Sequence, residues 1–240
     1  MRNDQGETPE PRLRAAAVIC GIAGPLSLTV YFAAPAFTNW PYAGASVARL
    51  TSYAASHQGL FYAGAWFQAT GTLLSVIFFL AIVHLARAAT RLSGLVTIVA
   101  SAVLLSVVLI EGAFLMAVPQ AAISGDAATV ATAFALSNGV FVRVFPLAPA
   151  SACFVGLGAV IMGSGVLHRW FGYVAAGIVA AFELAGIIAL VSGIAVIAVI
   201  VLSVGEEVWT LAAAIALGLP VWKGRLGLQN SEERSRALGR

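Results

Sequence analysis

The sequence predicts an all-α fold: a polytopic integral membrane bundle of six transmembrane helices with both termini cytoplasmic. Three observations predict it. Hydrophobic residues make up 60% of the 240-residue chain and charged residues only 10%. Mean hydropathy is +0.96. The apolar residues also gather into stretches of the roughly 20 residues that cross a bilayer core, separated by short polar turns. This composition excludes a soluble domain and a disordered chain, and two cysteines are too few for a disulfide scaffold.

The polar start of the chain, with Glu7, Pro9, Glu10 and Pro11, reads as a disordered cytoplasmic tail over 1–14. A first span follows over 15–37. Arg12 and Arg14 ahead of this run, with Ala34, Pro35 and Ala36 behind it, also fit a cleaved signal peptide, although the run exceeds the usual ~15 apolar residues. The connection over 38–58 holds Asn39-Trp40-Pro41 and a short interfacial helix near 46–55, and a second span covers 59–86. Arg87 and Arg91 mark a tight turn into a third span over 92–118, which should end before Pro119. Residues 120–138 form a connection turning at Gly125-Asp126, with an alanine-rich half-helix. The fourth span, 139–163, contains Pro146 and Pro149, which neighbouring helices can accommodate.

From 170 to 219 the chain is almost continuously apolar. At 1.5 Å per residue, about 50 residues far exceed one crossing of a ~30 Å core, so the chain must fold back. Ser192-Gly193 is the turn signal, dividing a fifth span (170–191) from a sixth (194–219). The transmembrane domain is then 15–222, followed by a basic cytoplasmic tail over 223–240. Of thirteen lysines and arginines, eleven fall on the side of the termini; Arg49 lies on the other side and Arg143 within a span. That bias orients both termini toward the cytoplasm of a cell that inserts the chain in its plasma membrane.

The net charge of +3 is scattered over loops and tails and forms no stripe, so membrane lipids are expected as partners and nucleic acid is not. Cys20 and Cys153 sit in apolar runs with no metal-ligand spacing and read as packing residues. His84 and His168 fit interfacial positions better than axial haem ligation, so no cofactor or metal is expected. Trp40, Trp66, Trp170 and Trp222 fall near span ends, as in an aromatic belt. No P-loop, GxGxxG, HExxH or nucleophile elbow occurs, and no loop is long enough for a separate catalytic domain.

Chemistry must therefore sit among the helices. Five ionisable residues lie within spans: Glu111, Arg143, Glu183, Glu206 and Glu207. Each would cost about 2.5 to 3.5 kcal/mol facing lipid at the bilayer centre, so all are expected inside the bundle. Counting residues from the outer end of each span gives depths of about 6 Å for Arg143, 10 Å for Glu111, 12 Å for Glu183, 14 Å for Gln68 and 18 to 20 Å for Glu206 and Glu207. Helical spacing places Ser203, Glu206, Glu207, Thr210 and Ala214 opposite Val201, Val204, Val208, Leu211, Ile215 and Leu219. Gln68 shares a face with Gly64, Gly71, Thr72 and Ser75. Glu183 shares one with Gly172, Ala176, Ala180 and Gly186, and the fourth span offers Ala148, Ala152 and Gly156. The leading expectation is a pocket opening outward that binds a small amphiphilic or lipid-like ligand through Gln68, Glu111, Glu183, Glu206 and Glu207, with Arg143 balancing charge. The alternatives are an enzyme using a protonated glutamate on an isoprenoid or lipid, a proton-coupled transporter of small solutes, and a structural subunit in which Arg143 pairs with Glu111 or Glu183.

Three stretches, RLSGLVTIVASAVLLSVVLIEGAFLM, LHRWFGYVAAGIVAAFELAG and GEEVWTLAAAIALGLPVWKG, resemble the third, fifth and sixth spans of DUF4386-type bacterial membrane proteins. Those show an LLEGAL-like run, an LPRWLG-like start of a span and a GELxxxxWLLxKG-like end. Here His168 replaces the proline and Glu207 adds a second acid. The resemblance covers about a third of the chain. It implies six spans and motif positions for Glu111 and Glu206, and it implies no particular reaction.

Overall fold

The computed structural model describes residues 9–42, 44–191 and 195–238, and all regular elements among them are helical. In chain order these are α1 (Pro9–Phe37), α2 (Val47–Ser56), α3 (Gln58–Leu85), α4 (Leu92–Ile123), α5 (Ala127–Gly139), two π-helical turns (Val140–Val144 and Pro146–Ala150), α6 (Ser151–Ser164), α7 (Arg169–Val191) and α8 (Ala195–Leu238). Six stretches among the described residues are long and apolar enough to cross a membrane: Glu10–Pro35, Gln58–Leu85, Leu92–Ile123, Ala127–Ser164, Arg169–Ile188 and Ile197–Leu219.

The helices close into a ring. α1 packs on α3, α3 on α4, α4 on α6, α6 on α7, α7 on α8 and α8 back on α1. In a membrane no hydrophobic force draws apolar helices together, so the ring depends on small residues that let backbones approach. A Cβ added at Gly24 of α1 would lie 2.5 Å from Ser75 Oγ of α3, and one at Gly71 of α3 would lie 2.6 Å from Leu28 Cγ of α1. One at Gly156 of α6 would lie 2.5 Å from Thr97 Oγ1 of α4. Phe154 fills the space beside these seams, with Phe79 at 5.8 Å and Trp209 at 5.1 Å between ring centroids.

Alternating helix directions bring the start of α1, the α3–α4 turn and the start of α7 to one end of the ring, which carries Arg12, Arg14, Arg87, Arg91 and Arg169. The opposite end is capped by α2 and α5, which pack on α4 through Leu50, Ala54, Val118, Val130 and Phe134. Ser46 caps α2, its hydroxyl accepting from Arg49 N at 3.3 Å, so the short helix expected in this loop is present.

Several boundaries depart from the sequence expectation. α1 begins at Pro9, so residues 9–14, expected to be a disordered tail, form its first turns, with Arg14 and Glu10 paired at 3.8 Å one turn apart. α4 continues through Pro119 to Ile123, because a buried proline costs its helix one hydrogen bond that the packed neighbours α2 and α5 compensate. The expected connection over 120–138 shrinks to Ser124, Gly125 and Asp126: residues 120–123 belong to α4, and the alanine-rich half-helix expected there is α5. α5 then runs on into α6. Pro146 and Pro149 supply no N–H, and the ladder shifts by one residue: Phe145 N bonds Val140 O at 3.0 Å and Ala150 N bonds Phe145 O at 3.2 Å. α7 and α8 pack on each other, so the long apolar stretch does fold back; the turn expected at Ser192-Gly193 and the start of the sixth span at Ile194 lie outside the described residues. α8 continues as helix to Leu238, through most of the expected tail.

Candidate functional site

Inside the ring, toward the α2/α5 end, lies a cavity of about 30 Å3. Its polar wall comes from two helices. α3 contributes Gln68, Thr72 and Ser75, and α8 contributes Ser203, Glu206 and Glu207. On α3 these positions are four and three residues apart, one strip of the helix surface. On α8 the same spacing turns Ser203, Glu206, Glu207 and Thr210 inward, while Val201, Val204 and Val208 stay exposed, as the sequence spacing predicts. Phe141 and Phe145, carried by the π-helical region, close the apolar side with Phe32, Leu104 and Val108.

The wall is short of hydrogen-bond partners. Buried polar atoms are almost always paired. Yet Gln68 Oε1, Ser75 Oγ, Ser203 Oγ and Glu207 Oε2 are buried without a partner, and all four residues line this one cavity. All four are oxygens able to accept a hydrogen bond. A cavity needs roughly 10 to 15 Å3 per water, so about 30 Å3 holds about two waters, enough to supply four donor hydrogens.

Glu111 stands one step from this wall. It is 2% exposed, Ser137 Oγ donates to its Oε1 at 2.6 Å, and the Gln68 side chain reaches the same carboxyl. Its Oε2 is unpaired. A polar track therefore runs from Ser137 on α5 through Glu111 on α4 to Gln68 on α3, which shares the cavity wall with the acid pair on α8. Glu206 is tied to its own helix, where Thr210 Oγ1 donates to its carbonyl at 2.9 Å.

Two of the expected site residues do not join this cluster. Glu183 is half-buried on α7 and lies outside the cavity wall. The stripe expected beside it is displaced: Ala176 and Ala180 are exposed, whereas Gly172, Ala175, Phe182 and Ala185 are buried. The cause is the α6–α7 seam, where a Cβ at Gly158 would stand 3.2 Å from the Gly172 carbonyl. Arg143 is exposed in the first π-helical turn and forms no ion pair with Glu111 or Glu183, so it neither balances these acids nor locks the helices through them. No lysine, arginine or histidine lines the cavity among the described residues.

Ser137 was hidden because its segment read as a connection. Trp209, also unmarked by the sequence, is 4% exposed and donates its indole N–H to Phe171 O at 3.0 Å, fixing α8 on α7. Trp40 packs 4.5 Å from Phe61 under the cap, while Trp66 and Trp170 are exposed, as a membrane-interface belt would have them. Cys153 is buried with its sulfur 3.5 Å from Ser101 Oγ. No family model, curated protein or solved structure matches the chain, so the site is read from its own geometry.

Proposed function

We propose that this chain is a six-span protein of the plasma membrane, both termini cytoplasmic, whose acidic cavity takes up and releases a proton during coupled transport of a small solute. The observation that carries the reading is the set of four unpaired oxygens, one from a glutamate, around a water-sized cavity with no basic residue in its wall. Two adjacent carboxyls at this depth are expensive as anions and gain most from binding positive charge. A proton, carried by two waters, fits about 30 Å3, whereas a drug-sized or amphiphilic ligand needs roughly 300 to 1,000 Å3. The polar track through Gln68 and Glu111 supplies relay groups toward the capped end. The basic residues at the opposite end support the cytoplasmic assignment of the termini. The DUF4386-type resemblance supports the six spans.

The test is a pH jump on the protein reconstituted in a solid-supported membrane, with the charge movement recorded in the absence of solute. Wild type should give a transient displacement, and Glu207→Gln should reduce it about tenfold or more while circular dichroism and elution volume stay unchanged. A transient of equal size in Glu207→Gln, or none in wild type, would overturn the proposal.

A further inference from the structure

A second concavity lies at the basic end of the ring, between the first turns of α1 and the last turns of α3. It is an open groove of about 1040 Å3. Leu13, Ala16 and Ala17 form one wall and Ile77, Leu80 and Ala81 the other; Glu10, His84, Arg87 and Thr90 surround its mouth. From Ile77 to His84 the groove follows α3 for seven residues, about 10 Å. It is therefore apolar along its length and polar at one end, the pattern of an amphiphile with its headgroup at the membrane surface.

The charge at the mouth selects the headgroup. Glu10 is already paired with Arg14 at 3.8 Å, so it does not cancel Arg87. Arg87 and His84 are both exposed beside the groove. The turn that carries them is held firmly. Arg87 N bonds His84 O at 2.9 Å, Ala88 N bonds Val83 O at 3.0 Å, and Ala88 is buried against Gly94. Arg87 occupies the left-handed region at φ 50°, a conformation that a non-glycine residue adopts only where its surroundings impose it. The turn fixes where the Arg87 side chain starts, and its guanidinium can hold a phosphate through two parallel hydrogen bonds.

We propose that this groove binds one anionic phospholipid, its phosphate on Arg87 and His84 and an acyl chain between α1 and α3. The site is separate from the acidic cavity and would stand if the transport reading failed. The test uses the full chain in nanodiscs of phosphatidylcholine mixed with phosphatidylglycerol, followed by native mass spectrometry after release into mild detergent. One phosphatidylglycerol should remain per chain. Its retention should fall about tenfold in His84→Gln/Arg87→Gln, which loses the charge-assisted bonds. Ala16→Phe, which keeps every charge and fills the groove from an exposed position, should lower it similarly. Equal retention of phosphatidylcholine, unchanged retention in both variants, or displacement by inorganic phosphate alone would overturn the proposal. The first and second results would leave the groove to another occupant, and the third would make it a simple anion site.

Discussion

The acidic cavity and the basic groove sit in the same ring and share α1 and α3, yet one is about 30 Å3 and walled by six polar side chains, and the other about 1040 Å3 and open. The difference arises on those two helices. Where Gly24 meets Ser75, and Gly71 meets Leu28, the backbones touch and the space between them closes. Seven to eleven residues nearer the basic end, α1 lines the groove only with Ala17, Ala16 and Leu13, no glycine pair lies there, and the gap stays open. The carboxyls occupy the tight region and the cations flank the loose one. A buried acid needs enclosure to hold its few waters in place, whereas arginine reaches water or a phosphate by its own length.

The sharpest way to break this contrast is to part the helices at the seam. Gly24→Val should destabilise the protein by about 1 to 3 kcal/mol or more, because both the Ser75 backbone and the Gly71 carbonyl stand in the way. Folded yield and thermal unfolding in detergent would read this. Gly177→Val, where an added Cβ meets nothing within 4 Å, is the matched control and should fold normally. Equal loss in both would mean that close approach does not hold the ring.

A smaller effect should come from the polar track. Ser137→Ala removes the hydroxyl that donates to Glu111 Oε1 at 2.6 Å and leaves a buried carboxyl under-satisfied, costing about 1 to 3 kcal/mol. An unchanged midpoint would show that water replaces the hydroxyl. Smaller still is Ser203→Ala. In a dry cavity, deleting an unpaired buried hydroxyl should stabilise by about 1 to 3 kcal/mol. In the hydrated cavity proposed here the change should stay below about 1 kcal/mol, since the hydroxyl is already bonded to water. A clear gain in midpoint would therefore count against the waters.

The all-helical class, the six helices long and apolar enough to cross a membrane and the inward face of α8 were legible because each rests on a local pattern: apolar length and helical period. The same holds for Gln68, Thr72 and Ser75 on one strip of α3. Glu183 and Arg143 show the limit of this reasoning. Arg143 was placed by depth along its helix and Glu183 by depth and a stripe of small residues, but neither fixes which side of the helix faces the interior. For α7 that side is decided by where Gly158 lets Gly172 approach, and for Arg143 by how two prolines reset the helical ladder. Ser137 was missed for a related reason. Gly125-Asp126 looks like the centre of a long connection, whereas Asp126 is the cap of a helix that starts at the next residue.

That cap gives the smallest predicted effect and the one most easily separated from the buried acids. The Asp126 carboxylate accepts from the Thr129 hydroxyl and from Thr129 N, the latter at 3.0 Å, and these bonds, the hydroxyl's first, hold it below the usual aspartate range. Its folded value lies below its unfolded one, so its contribution is present above the ordinary value of about 4 and is lost as pH falls through the lower folded value. Hydrogen exchange of the α5 amides should accordingly speed up only on the acid side of about pH 4. Asp126→Asn keeps a capping oxygen but cannot titrate, so α5 should stay protected at neutral pH and lose this acid response. Because α5 carries Ser137, loosening it in acid should also weaken the Ser137–Glu111 bond. If Asp126→Asn retained the full acid response, the Asp126 cap would not be the group that titrates.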